Sequence, residues 1–289
     1  MAFFGANAVI GPCLGNFTDL SQLPLFIFAL MLGIERRINW LIAIFGILIP
    51  LIREDAGVLL IGIGIWLIVR KQKKWAIGTI FILYGALWAI AVTNVFMPIF
   101  SADSSKRFMV ENFGQYIMDK DEATSIDVIQ LGIQQPLIIL NELINPIGKT
   151  LQYLCGQGLP LVLIPFISID CWLLMGLPLL GLLLAQGNPL AINWRYTYLV
   201  VPGLFSGSIY WWQNHTNIFK VRYFRRLWAG CIILSLIFTL TSNPNRTLSW
   251  MMPQSINPWI YISPVKQFKH GQIALNALKR IPNTGTVSA

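Results

Sequence analysis

Charge is what this chain has least of. Aspartate and glutamate number 12 in 289 residues, lysine and arginine 21, and together they make up only 11% of the sequence. A soluble domain carries about 25%, so the shortage excludes an ordinary water-facing surface and leaves lipid as the main neighbour. Cysteine is also sparse: Cys13, Cys155, Cys171 and Cys231 stand far apart, with no CxxC and no nearby histidine. That spacing reads them as small apolar residues, with a Cys13–Cys155 disulfide as the alternative. The N-terminus has no basic region ahead of an apolar one, which excludes a typical cleaved signal peptide. The sequons at Asn16, Asn214 and Asn245 matter only in a eukaryotic secretory pathway.

What the chain does have is apolar: 55% hydrophobic residues, with 11 Trp and 17 Phe. This is the composition of an all-α, multi-pass integral membrane protein. Its net charge of +9 invites a nucleic-acid partner, but the basic residues sit in short loops between apolar runs, so the expected partner is the bilayer and no nucleic acid.

Apolar segments cover roughly 20–34, 38–52, 56–69, 75–97, 151–167, 171–185, 194–212 and 227–242, about eight candidate transmembrane helices. The basic clusters "ERR" (35–37), "RKQKK" (70–74) and "KVRYFRR" (220–226) fall in loops of one parity. The positive-inside rule then makes that side cytoplasmic and places the chain in the inner (plasma) membrane. The domain reading is a membrane domain over 1–242 and an extracytoplasmic tail over 243–289. Within the first, 98–150 is an extracytoplasmic excursion whose second half is an amphipathic helix on the membrane. In the tail, 265–280 reads as an amphipathic helix and the final "TVSA" as the first residues of a strand, the start of a soluble α/β segment cut short. The acidic run Asp119, Asp121 and Glu122 reads as a solvated turn, so no metal is expected, and no motif names a cofactor.

The stretch "LIPLIREDAGVLLIGIGIW" (48–66) interrupts two apolar runs with Arg53, Glu54 and Asp55. Two full spans of about 20 residues do not fit between Arg37 and Arg70. Two short helices of about 16 residues reach only about 24 Å, against a hydrocarbon core of about 30 Å. The charged turn is therefore expected at or just below the outer interface. Gly57, Gly62 and Gly64 are expected to let a neighbour pack closely against the helix that follows.

"IREDAGVLLIGIGIWLI", the earlier "GNFTDLSQLPLFIF" and the later "LVVPGLFSGSIYWW" and "TSNPNRT" together resemble a large family of bacterial polytopic membrane proteins. That family is known only as a domain of unknown function and is grouped with GT-C-type glycosyltransferases. The resemblance implies a GT-C-like scaffold with an extracytoplasmic site and a sugar carried on a polyprenyl phosphate. Two departures accompany it. GT-C enzymes usually place an essential acidic residue in the first extracytoplasmic loop, and against that pattern the chain is expected to start after such a loop. Family members also often carry His where Thr18 stands, before Asp19.

Within that frame Glu54 and Asp55 are the candidate catalytic carboxylates, able to take a proton from an acceptor hydroxyl. Their other reading is structural, pairing with Arg53 and capping short helices. Asp19 is either a further carboxylate or the N-cap of a helix starting near Leu20. Arg53, Arg195 and Arg246 are the candidate substrate-binding residues, since a planar guanidinium suits a phosphate. Arg195 and Arg246 read equally as interfacial anchors beside Trp194 and Trp250. Two other functions compete: a transporter or lipid flippase, with Arg53–Asp55 lining a polar path, and a non-catalytic membrane partner. The charge spacing of the first four spans is not echoed in the last four, so no inverted repeat favours transport.

Overall fold

The computed structural model describes residues 2–15, 18–53, 55–70, 74–100, 134–185, 190–192, 194–242 and 264–279. Among these the chain is helical throughout its regular structure, with no strand. The amphipathic helix expected near the C-terminus is present over Pro264–Leu278, whereas the strand expected in "TVSA" lies outside the described residues.

Two helix hairpins form the first half. Helix α1 (Asn7–Gly15) is followed by a 3-10 turn (Asp19–Gln22), then α2 (Leu23–Arg36) and α3 (Asn39–Ile52). Arg37 ends α2 in a left-handed conformation, φ 58°, and the Ile38 N–H reaches back to the Gly33 carbonyl at 2.9 Å. This is the Schellman closure that turns a chain within two residues. After Arg53–Asp55 come α4 (Ala56–Arg70) and α5 (Trp75–Ala91), which runs through a π-helical turn (Val92–Phe96) into Met97–Phe100.

Glycines set how closely α4 and α5 pack. A Cβ on Gly64 would lie 2.6 Å from the Gly78 carbonyl oxygen, and one on Gly57 would lie 2.8 Å from that of Gly85. The antiparallel backbones touch directly, the arrangement small residues allow in membranes. Gly62 instead faces the Leu174 carbonyl, at 3.0 Å from its ideal Cβ position. The close packing expected of these glycines is thus divided between two neighbours.

The second half begins with α6 (Pro136–Ile144) and α7 (Ile147–Gly158), followed by 3-10 turns at Leu159–Leu161 and Ile164–Phe166. Next are α8 (Ile169–Leu184), a 3-10 turn (Arg195–Leu199), α9 (Val201–Asn214) and α10 (Arg222–Ser242). Here the expected spans need correction. The run 151–167 is no single helix, because Pro160 and Pro165 interrupt it and each lacks the N–H that would continue a helical ladder. The run 194–212 starts as a 3-10 turn and becomes α-helical at Val201, with Pro202 in the first turn.

The core lies around α4, whose Leu59, Leu60, Ile63, Trp66 and Leu67 are at most 1% exposed, with α2, α8 and α9 packed about it. Outward faces are equally apolar: Trp40, Ile44, Ile47 and Leu51 on α3, and Ile80, Leu83, Leu87 and Ile90 on α5. Contiguous apolar surface on that scale is unfavourable in water and natural in lipid. Among the described residues one helix, Trp75–Phe96 (22 residues), is long and apolar enough to cross a bilayer, and Asn39–Ile52, Ala56–Arg70 and Ile169–Leu184 are shorter apolar helices.

Candidate functional site

Helix α3 stops at Ile52 because Arg53 is extended, and α4 starts at Ala56, so Asp55 stands just before a helix, where aspartate is favoured. Arg53 Nε lies 3.6 Å from Asp55 Oδ2, and the two side chains are only 12% and 24% exposed. That separation is an ion pair longer than a direct hydrogen bond. The Arg53 guanidinium also sits 5.3 Å from the centre of the Tyr196 ring, and the Arg195 guanidinium is 5.4 Å from the same centre. Two residues singled out from the sequence, Arg53 and Arg195, therefore meet at one aromatic ring, and a third, Asp55, pairs with Arg53. Contact with a ring face helps to hold a guanidinium in place. Arg195 keeps a buried Nε with no hydrogen-bond partner among the described residues.

The segment carrying Arg195 and Tyr196 is pinned by α1. Pro12 inside α1 has no N–H to offer the Ala8 carbonyl one turn back. The buried Thr197 hydroxyl donates to that carbonyl at 3.1 Å, and the Tyr198 hydroxyl donates to the Val9 carbonyl at 3.1 Å. A helix defect thus becomes the anchor for the cationic turn.

Asp19 is exposed and opens the Asp19–Gln22 turn, which packs against both the Arg195–Leu199 turn and α3. The N-cap expected at Asp19 is instead Thr18, whose backbone N–H donates to Ser21 Oγ at 3.2 Å. Asp19 stays in the first turn, where its charge suits a helix start. Glu54, Arg246 and the acidic run Asp119, Asp121 and Glu122 lie outside the described residues. All four cysteines are free, so the Cys13–Cys155 disulfide is not formed. Among the described residues no three His, Cys, Asp or Glu side chains gather as metal ligands.

A second charged centre lies at the far end of α4 and was not anticipated. Asp170, 5% exposed in the first turn of α8, accepts from Arg70 Nε at 2.7 Å and Nη2 at 2.7 Å, and from Trp66 Nε1 at 2.9 Å. This forked pairing supplies both directionality and charge. Beside it the Trp66 and Tyr210 rings are 4.8 Å apart, Tyr210 donates to Glu35 Oε1 at 2.8 Å, and Lys74 donates to the Ile34 carbonyl. The sequence signal was of the same kind as for Arg53–Asp55, charge within an apolar stretch, here the single carboxylate of "FISIDCWLL".

Comparison with known proteins places the chain in one family: the family described as "Predicted membrane protein (DUF2079)" matches residues 1–289, and the chain belongs to it. No curated protein and no solved structure matches the chain.

Proposed function

Taking that membership as the premise, we propose that the chain is a multi-pass, GT-C-like protein of about eight spans in the bacterial inner membrane. It transfers a sugar from a polyprenyl-phosphate donor on the extracytoplasmic face. The membrane domain is 1–242, with 98–150 and the tail 243–289 on the extracytoplasmic side. The observation that carries this reading is the meeting of Arg53 and Arg195 at Tyr196, with Asp55 paired to Arg53. A carboxylate paired with one guanidinium, with a second guanidinium at the same ring, matches the needs of the transfer. Asp55 or Glu54 removes the proton of the acceptor hydroxyl, whose oxygen forms the new bond to the anomeric carbon. The bond between that carbon and the phosphate oxygen breaks, and Arg53, Arg195 and Arg246 stabilise the departing phosphate. Asp19, on the adjoining turn, is the further carboxylate of the site.

The short helices contribute to this chemistry. At 14 and 15 residues, α3 and α4 fall short of a bilayer core of about 30 Å. The turn between them is thereby drawn below the interface and away from bulk water, where donors and charges act more strongly.

The test uses the full chain reconstituted with a polyprenyl-phosphate-linked sugar. Asp55→Asn and Glu54→Gln keep shape but cannot serve as a base. At least one of them is expected to lower transfer by about 100-fold with insertion and melting unchanged. Arg195→Gln is expected to weaken donor binding. Full transfer by both carboxylate variants removes this turn from the mechanism.

A further inference from the structure

Helix α7 turns polar side chains inward. Thr150, Tyr153 and Gln157 are only 8%, 1% and 3% exposed, while its outer positions are mixed, apolar Ile147 and Leu151 beside polar Lys149 and Gln152. The polar inner face needs its own reason, because buried polar groups are costly unless hydrogen-bonded.

They are not matched. The Tyr153 hydroxyl and both polar atoms of the Gln157 amide have no hydrogen-bond partner among the described residues. Gln157 lies beside the Tyr153 hydroxyl, but at a geometry that makes no hydrogen bond. Helix α7 packs against α1, which supplies another such group: Asn7, 3% exposed, with an unmatched Oδ1. Every one of these groups is neutral, and amide and phenol both donate and accept. A hexose presents the same mixture, with hydroxyls that donate and accept and C–H faces that pack on a phenol ring.

Next to this face the backbone is strained. One 3-10 turn after α7, Val162 and Leu163 take consecutive left-handed conformations, φ 56° and 57°, which side chains, and branched ones above all, adopt reluctantly. On its other side, Gly156 of α7 abuts Ile192, three positions before the Arg195 of the cationic turn.

We propose that the inner face of α7, with Asn7, binds the hydroxyls of a neutral sugar, reached when α7 tilts from α1 about the Val162–Leu163 turn. The ligand-free arrangement leaves its polar groups unmatched, and the sugar's hydroxyls match them, so the ligand favours the tilted state through interactions the closed state lacks. This rests on the transfer reading only for the sugar's source. The unmatched groups define the site whether or not transfer occurs.

The test is thermal denaturation of the purified full chain with methyl glycosides of the common hexoses at millimolar concentration, and separately with sugar-free polyprenyl phosphate. At least one glycoside is expected to raise the melting temperature of the parent. Tyr153→Phe and Gln157→Leu are expected to weaken that effect by about tenfold each, the weight of one or two hydrogen bonds. Without ligand these variants should melt at the same temperature or higher, since each removes an unmatched group, and the polyprenyl phosphate should stabilise them as it does the parent. A ligand-free loss of several degrees, a glycoside effect that survives both substitutions, or no glycoside effect in the parent overturns the proposal. Prior loading with a polyprenyl-phosphate-linked hexose assigns the sugar: loss of the glycoside effect gives the donor, persistence the acceptor, and either keeps the site. Glycoside binding without transfer from any donor would instead overturn the transfer reading and leave this one standing.

Discussion

At Asp170 one carboxylate receives three donors from α4, and its worth lies in what its loss would expose. An amide in its place offers one acceptor oxygen and no charge, leaving the Arg70 fork half-met beside a buried wall. Asp170→Asn is expected to cost about 1–2 kcal/mol, less than a fully buried pair because the Arg70 side chain is 41% exposed and partly screened, read as a lower melting temperature in detergent. Adding Arg70→Gln should recover part of the loss, because the cation is no longer stranded. Strictly additive effects of the two substitutions would show that the pair contributes no coupling. Arg53, Glu54 and Asp55 were legible in the sequence because three charges in a row break an apolar pattern that no local structure requires. Asp170 carried the same mark, yet its partner is 100 positions away, and a local pattern says nothing of a pairing at that distance. Tyr196 was invisible for a similar reason. A tyrosine is ordinary until two arginines from different turns are found on its ring.

At the scale of elements, the backbone contact between α4 and α5 makes a sharp prediction. Leucine at Gly64 has to displace the Gly78 carbonyl, 2.6 Å from its Cβ, while Gly176 on α8 has nothing within 4 Å. Gly64→Leu should therefore destabilise by about 1–3 kcal/mol or more, and Gly176→Leu should be near neutral by the same unfolding assay. Equal effects would mean that helix propensity rather than contact governs both. The apolar runs at 20–34, 38–52, 56–69, 75–97 and 171–185 were readable as helices, because length and hydrophobicity suffice for that. The run at 151–167 was misleading. Its composition is as apolar as the rest, but Gly158, Pro160 and Pro165 end α7 and give two tight turns, and the polarity of the face that α7 buries emerges only once its neighbours are in place.

Over the whole molecule, charged groups gather at both ends of α4. Asp19, Arg53, Asp55 and Arg195 are with the elements at its start, whereas Glu35, Arg70, Lys74 and Asp170, with the Tyr210 hydroxyl, are at its finish. The proposed topology puts the second group on the cytoplasmic side. Single cysteines at Lys73 and Arg222 should resist a membrane-impermeant thiol reagent in intact cells, while one at Asp121 should react; the reverse labelling inverts the orientation. The glycines have a mechanical consequence as well. Gly57 and Gly64 seat α4 against the backbone of α5, and Gly62 seats it against that of α8. A rod gripped on two sides by main chain, with no side-chain cushion between, has no room to roll or slide alone. On the proposed orientation, a pull on Arg70 from the cytoplasmic side would then be delivered, about 22 Å away along 15 residues, to the turn that holds Asp55, as a push rod carries force from one end of an engine to the other.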